Sequence, residues 1–258
     1  MDWVFRIVLT MLDSLPESGA KMKFAIILPV YNEAPTLEKV ITRLSEFKDA
    51  DIVVVDDGST DATPSVLERI KVHAILRHDQ NKGYGQSLMD GFNYVKNHNY
   101  VYCVTMDADE QHEPSFIPCF LDKLSRFDIV SGSRYLDPLL SKDVPPPERL
   151  EVNRIITDRL KELTHYHLTD SFCGFKGYRV EGLRKLNLTE TNYGFPIQFW
   201  LQAAKAGLTV NECAVPLIYK DYSRNFNNQF ANRDERLSHY LEVMNREAKT
   251  LGLSSTRK

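Results

Sequence analysis

Two nearly uninterrupted apolar runs, Phe24-Ala25-Ile26-Ile27-Leu28 and Ile52-Val53-Val54-Val55, constrain this chain more than any other feature. A strand with one wet face alternates apolar and polar residues, whereas a strand that is apolar throughout must be covered on both faces. Each run is followed by helical spacing. Leu37, Val40, Ile41 and Leu44 recur after the first, with Pro35 at the start; Val66, Leu67 and Ile70 follow the second, with Asp61 or Thr63 as cap. The alternation continues with a strand over 73–76, a helix over 83–95, a strand over 100–106, a helix over 114–124 and a short strand over 128–132. This pattern predicts an α/β fold of Rossmann-like type, a mostly parallel sheet with helices on both faces.

Beyond residue 135 the character changes. The stretch 136–147 is rich in proline and reads as a mobile loop, and helices are predicted over 148–164, 195–206 and 233–251, with a strand over 208–215. In the helix over 148–164, Leu150, Ile156, Leu160 and Leu163 form a stripe beside Arg149, Arg154, Arg159 and Lys161. Such a stripe either covers the sheet or lies on a membrane surface.

Ligands of parallel sheets sit beyond the carboxyl ends of the strands. Three polar clusters follow directly on predicted strands: Asn32-Glu33, Asp56-Asp57 and Asp107-Ala108-Asp109. They are predicted to converge. Asp107 and Asp109, two positions apart at a strand end, can address one hard divalent ion, with Gln111 as a neutral oxygen ligand; Mg²⁺ or Mn²⁺ suits oxygen donors that leave room for water and phosphate. Asp57 can accept hydrogen bonds from a base or ribose, while Asp61 serves as a helix cap. Asn81-Lys82-Gly83-Tyr84-Gly85 precedes a helix, and its glycines permit close backbone approach to a ligand.

In this order the pieces resemble the GT-A glycosyltransferases of family two, in particular the dolichyl- and polyprenyl-phosphate mannose synthases and their glucosyl relatives. Pro29-Val30-Tyr31-Asn32-Glu33 resembles the opening motif of the nucleotide site, and the blocks at 56–61 and 81–85 resemble the next two. Residues 107–114 resemble the metal motif, and Gly132-Ser133-Arg134 the segment whose arginine faces donor phosphate or acceptor. Asp170-Ser171-Phe172-Cys173-Gly174-Phe175-Lys176 resembles the acceptor-side block. The resemblance spans residues 24 to about 218.

It implies an inverting, metal-dependent hexosyltransferase using a GDP- or UDP-linked sugar, mannose or glucose favoured. Pro29, Tyr31, Asn32, Glu33, Asp57, Lys82, Gly83, Asp107, Arg134 and Arg224 would bind the nucleotide sugar. Asp107, Asp109 and Gln111 would hold the metal, and Asp109, Arg134 and Asp170 would serve catalysis. Two departures stand out. Relatives carry a carboxylate where Gln198 stands, and they end on an arginine and a lysine over the donor phosphates, for which Lys220 and Arg224 are the loose counterparts. A phosphate acceptor is already an anion and needs no general base, whereas a sugar hydroxyl does. Gln198 therefore favours a lipid phosphate at a membrane surface, although Asp170 or Asp221 could act as base on a hydroxyl acceptor.

Rival readings are a soluble-acceptor transferase, a sugar nucleotidyltransferase and a non-catalytic binding module. The second wants a glycine-rich loop at the first strand, which 29–33 lacks; the third should have lost Asp107 and Asp109.

The net charge of −3 offers no basic surplus for nucleic acid. Cys103, Cys119, Cys173 and Cys213 lie far apart in sequence and are expected to be reduced thiols. The apolar run 3–12, interrupted by Arg6, is too short to span a bilayer. The expected organisation is an N-terminal extension over 1–22, one GT-A domain over 23–253 and a disordered tail over 254–258. Its nucleotide-sugar half would cover about 23–134 and its acceptor half about 135–253. The expected location is cytoplasmic, with peripheral attachment to the cytoplasmic face of a membrane as the sharper form.

Overall fold

The computed structural model describes residues 24–141, 143–219 and 232–254. The expected N-terminal extension, the loop bearing Lys220, Asp221 and Arg224, and residues 255–258 of the expected tail lie outside the described residues. Seven strands form one sheet: β1 (Phe24–Val30), β2 (Ala50–Asp56), β3 (Ala74–Arg77), β4 (Tyr102–Thr105), β5 (Ile129–Ser133), β6 (Lys176–Arg179) and β7 (Val210–Ala214). Helices α1 (Ala34–Leu44), α2 (Thr63–Leu67), α3 (Tyr84–Asn97) and α4 (Ile117–Leu124) connect the first five strands. Then come α5 (Pro147–Thr164), α6 (Val180–Leu183), α7 (Phe195–Lys205) and α8 (Arg233–Leu251).

The strand order is β3-β2-β1-β4-β6-β5-β7, with β6 antiparallel to both neighbours and the other pairings parallel. Both faces are covered, which explains the uninterrupted apolar run of β1. Its Ala25 and Ile27 enter one core cluster, while Phe24, Ile26, Leu28 and Val30 enter the other. The inserted β6 is the element that the sequence reading omits. Lys176-Gly177-Tyr178-Arg179 has no apolar periodicity, and its pairing partners β4 and β5 are far away in the chain.

The order reverses between β1 and β4: from β1 the chain winds outward through β2 and β3, then returns to place β4 on the other side. Such a reversal opens a crevice at the carboxyl edge. Pairing of β1 with β4 ends at Ile27 and Thr105, two residues short of Pro29. Pro29 can therefore occupy a central strand, because its missing N–H faces no β4 partner.

One expectation needs correction, and one open alternative is decided. Cys119 of α4 and Cys213 of β7 form a disulfide across 94 residues, whereas Cys103 and Cys173 remain buried thiols. Spacing along the chain could not report a pairing created by packing α4 onto the sheet. The stripe of α5 faces inward: Ile156 and Leu160 are fully buried in the cluster that holds Trp200, and Leu163 packs against it. Only Leu150, at the start of the stripe, is exposed. Among the described residues no helix is long and apolar enough to cross a membrane.

Candidate active site

The loops after β1 and β2 are laced together. Asn32 adopts a left-handed backbone (φ 57°). Its N–H donates to Ser59 Oγ at 2.9 Å, and its Oδ1 accepts from the N–H groups of Thr60 at 2.8 Å and Asp61 at 3.2 Å. Glu33 N–H donates to Thr63 Oγ1 at 2.9 Å. Asn32 thus fixes the turn that carries Tyr31 and Glu33, and Pro29 and Tyr31 are left partly exposed at the crevice.

Asp57 is buried and faces the next loop. Oδ1 accepts from Lys82 N–H at 2.7 Å and Oδ2 from Gly83 N–H at 2.9 Å, so the Asn81–Gly85 segment is bound to the end of β2. The Lys82 side chain remains exposed. Gly83 has φ 103°, and a Cβ there would sit 2.4 Å from Thr191 O, so only glycine allows this approach.

Tyr84 joins this loop to the acidic motif, donating its hydroxyl to Asp107 Oδ1 at 3.2 Å. Gly174 lies against the same pair: a Cβ there would be 2.7 Å from Asp107 Oδ2 and 2.8 Å from the Tyr84 hydroxyl. Asp107 N–H donates to His112 Nδ1 at 3.0 Å, which makes that ring nitrogen an acceptor. Burial lowers the His112 pKa to about 4, in keeping with a neutral structural ring stacked on Phe175. Burial also pushes the Asp107 carboxyl above its ordinary value. Asp109 Oδ1 accepts from Gln111 N–H at 3.0 Å, closing the turn, and both side chains are partly exposed. From α1, Lys39 pairs with Glu110 and Arg43 with Glu113, holding the acidic loop from behind.

Arg134 follows β5 and grips Asp170 at two points, Nε to Oδ2 at 2.6 Å and Nη2 to Oδ1 at 3.0 Å. Asn153 Nδ2 adds a bond to Oδ1 at 2.8 Å, and Phe172 N–H another at 3.1 Å. Burial alone would raise the Asp170 pKa, but the charge and hydrogen bonds of Arg134, with Asn153, bring it to about 2. A carboxylate so fully engaged holds Arg134 in place and makes a weak base.

Lys176, at the start of β6, is a buried ammonium bonded to Cys173 O and set 5.5 Å from the Trp200 ring centre. Burial lowers its pKa, and it acts electrostatically on Asp107 and Asp170. Tyr84 and Lys176 stand within sequence motifs that by themselves assign them no role. Their signal was polarity at the carboxyl edge, which became specific only with β6 in the sheet.

Gln198 is buried, and its amide is engaged at both ends. Its Oε1 accepts from Thr189 and Glu190 N–H, each at 2.7 Å, and its Nε2 donates to Thr189 Oγ1 and Glu247 Oε2, each at 3.0 Å. It braces the 189–190 loop against α8.

Glutamine, asparagine and tyrosine apart, the cluster at the β4–β5 edge sets Arg134 and Lys176 against Asp107, Asp109 and Asp170. Among the described residues the carboxylates of this cluster outnumber its cations, so a hard dication on the Asp107–Asp109 pair would fit the charge balance. Among the described residues no third His, Cys, Asp or Glu completes a protein-only metal cage. A site of this kind draws its other ligands from water and phosphate.

The fold is of the GT-A class. It superimposes on glucosyl-3-phosphoglycerate synthase from Mycobacterium tuberculosis with a TM-score of 0.64 and 16% identity, covering 91% of this chain and 82% of that one. Residues 25–186 match the family described as Glycosyl transferase family 2, and the chain belongs to that family of glycosyltransferase enzymes. It is 27% identical over 209 residues to the undecaprenyl-phosphate mannosyltransferase of Micrococcus luteus, covering 78% of this chain and 85% of the relative. It is 28% identical over 207 residues to the polyprenol monophosphomannose synthase of Mycolicibacterium smegmatis, covering 76% and 77%. A UDP-N-acetylglucosamine–dolichyl-phosphate N-acetylglucosaminyltransferase of Methanococcus voltae is 28% identical over 219 residues, covering 77% and 86%.

Proposed function

We propose that this enzyme moves a hexose from a GDP- or UDP-linked donor to the phosphate of a polyprenyl or dolichyl lipid, with inversion at the anomeric carbon. A phosphate oxygen of the lipid attacks that carbon; the new C–O bond forms as the bond to the donor's β-phosphate oxygen breaks, and nucleoside diphosphate leaves. No proton need be removed from the nucleophile. That requirement agrees with an Asp170 spent on Arg134 and a Gln198 spent on the 189–190 loop.

One observation carries the acceptor assignment. Of the six exposed large apolar residues among those described, Leu136, Leu139, Val144 and Leu150 all lie on the segment that leaves Arg134, with Leu139 94% exposed. The segment is anchored: Ser141 Oγ donates to Arg134 O and accepts from Leu217 N–H, and Asp143 accepts from Tyr219 N–H at 2.8 Å. Exposed apolar side chains held in place next to a charged site suit a lipid substrate better than a sugar. The names of the relatives from Micrococcus, Mycolicibacterium and Methanococcus point to the same class of acceptor.

In this reading Asp107 and Asp109, with Gln111 near, would hold Mg²⁺ or Mn²⁺. When bound, the ion would neutralise charge on the departing diphosphate. Arg134, fixed by Asp170, faces donor or acceptor phosphate, while the crevice between β1 and β4 takes the nucleotide along Tyr31, Glu33 and the 82–83 turn. A thermal-shift screen of nucleoside diphosphates with Mn²⁺ tests the donor half. A guanosine or uridine diphosphate should raise the melting temperature by mass action, and no response to any nucleotide would refute it.

A further inference from the structure

We propose that His78 is a positioning residue for the donor, acting through Asp57 on the 82–83 turn. His78 follows β3, and its N–H donates to Asp56 O at 2.9 Å, which extends the β2–β3 ladder by one bond. Its ring lies buried between two carboxylates. Nδ1 is 2.6 Å from Asp57 Oδ1 and Nε2 is 2.9 Å from Asp90 Oδ2. Behind it, on α3, Gln86 Nε2 donates to both oxygens of Asp90 at 3.1 Å. The relay therefore runs Gln86, Asp90, His78, Asp57, and ends on the N–H groups of Lys82 and Gly83.

Each link removes a freedom. Each ring nitrogen faces a carboxylate oxygen within hydrogen-bond distance, so the ring is held from both sides. Charge-assisted bonds of this kind are short and directional, and they lock the rotamer of Asp57. With Oδ1 taken by His78 and Lys82 and Oδ2 by Gly83, Asp57 cannot turn without releasing the loop at the crevice. Without the ring, Asp57 and Asp90 would face each other as like charges across the space it vacates. The 82–83 turn would then lose its fixed distance from the end of β2.

The proposal rests on the donor reading above, and it predicts a loss in donor binding rather than in the chemical step. Binding of guanosine and uridine diphosphate with Mn²⁺ would be measured by calorimetry, and donor KM and kcat by transfer assay, for wild type, His78→Ala, His78→Gln and Asp90→Asn. His78→Ala should weaken nucleotide binding and raise donor KM by about tenfold, with kcat within about threefold, the size expected for one charge-assisted bond. His78→Gln, which keeps one donor toward Asp57, should recover part of that loss. Asp90→Asn alters a partly exposed residue at the far end of the relay and should shift KM in the same direction by a smaller factor. If His78→Ala does not fold, Asp90→Asn decides. Folded variants with wild-type KM, or a loss confined to kcat, would overturn the proposal. Wild-type protein that binds no nucleoside diphosphate would instead refute the donor reading, before any substitution is made.

Discussion

Arg134 and Asp170, 36 positions apart in the chain, share a two-point ion pair with Nε–Oδ2 at 2.6 Å and Nη2–Oδ1 at 3.0 Å. The pair ties the end of β5 to the loop before β6 and fixes the guanidinium at the carboxyl edge. It also makes the fold sensitive to acid. The Asp170 pKa falls from 3.8 to about 2 in the folded protein, so the pairing stabilises the fold fully above the ordinary value and is lost as pH falls through about 2. The contribution is about 2 kcal/mol. Melting curves should show wild type losing stability between about pH 4 and 2 from this pair. Asp170→Asn should melt lower at neutral pH and lack that component. An unchanged melting temperature in Asp170→Asn would contradict the pairing.

Asp109 lies partly exposed, its Oδ1 closing a turn onto Gln111 N–H. Asparagine can keep that bond through its own Oδ1, but it removes the charge. Asp109→Asn should therefore abolish transfer while the melting temperature stays near wild type. Exhaustive chelation should have the same effect on wild type, reversed by Mn²⁺ or Mg²⁺. Full turnover in the folded variant, or in chelator, would count against a metal held by Asp107 and Asp109.

At Gln198 the amide is used at both ends, accepting from two backbone N–H groups and donating to Glu247. Placing a carboxylate there would set it against that of Glu247 in a buried position. Gln198→Glu should destabilise the fold by about 2 kcal/mol, seen as a lower denaturation midpoint in urea, and should confer no activity on hydroxyl acceptors. A gain of such activity would give this position a chemical role.

The two apolar surfaces around α5 should answer differently to charge. Ile156 is fully buried, and Ile156→Asp should cost roughly 3 kcal/mol or more. Leu139 and Val144 are 94% and 77% exposed, so Leu139→Asp and Val144→Asp should leave the melting temperature and nucleotide binding unchanged. Together they should lower transfer to a polyprenyl phosphate by about tenfold or more, since one leucine buried against lipid contributes on that order. Equal transfer by the double variant would remove the acceptor surface from this segment.

These cases show where the sequence was informative. The buried strands, the helix over 233–251 and the clusters at 32–33, 56–57 and 107–109 were legible, because local periodicity and strand-end position determine them. The Cys119–Cys213 bond, the antiparallel β6 and the choice between the two surfaces offered for the α5 stripe were not. Each depends on which distant segment packs against it. Asp57 was legible as a strand-end carboxylate, but its inward bonds to Lys82, Gly83 and His78 emerge only when β2, β3 and α3 are brought together.

Transfer to a lipid phosphate without a general base is tested most directly with labelled donors. Radiolabelled GDP-mannose, UDP-glucose and UDP-N-acetylglucosamine would each be incubated with Mn²⁺ and the enzyme, with either polyprenyl phosphate in detergent or a panel of soluble sugars. Label should enter the organic phase from one of these donors and be released by mild acid as free sugar. Label appearing only on a soluble sugar hydroxyl, with none on the lipid from any donor, would contradict it.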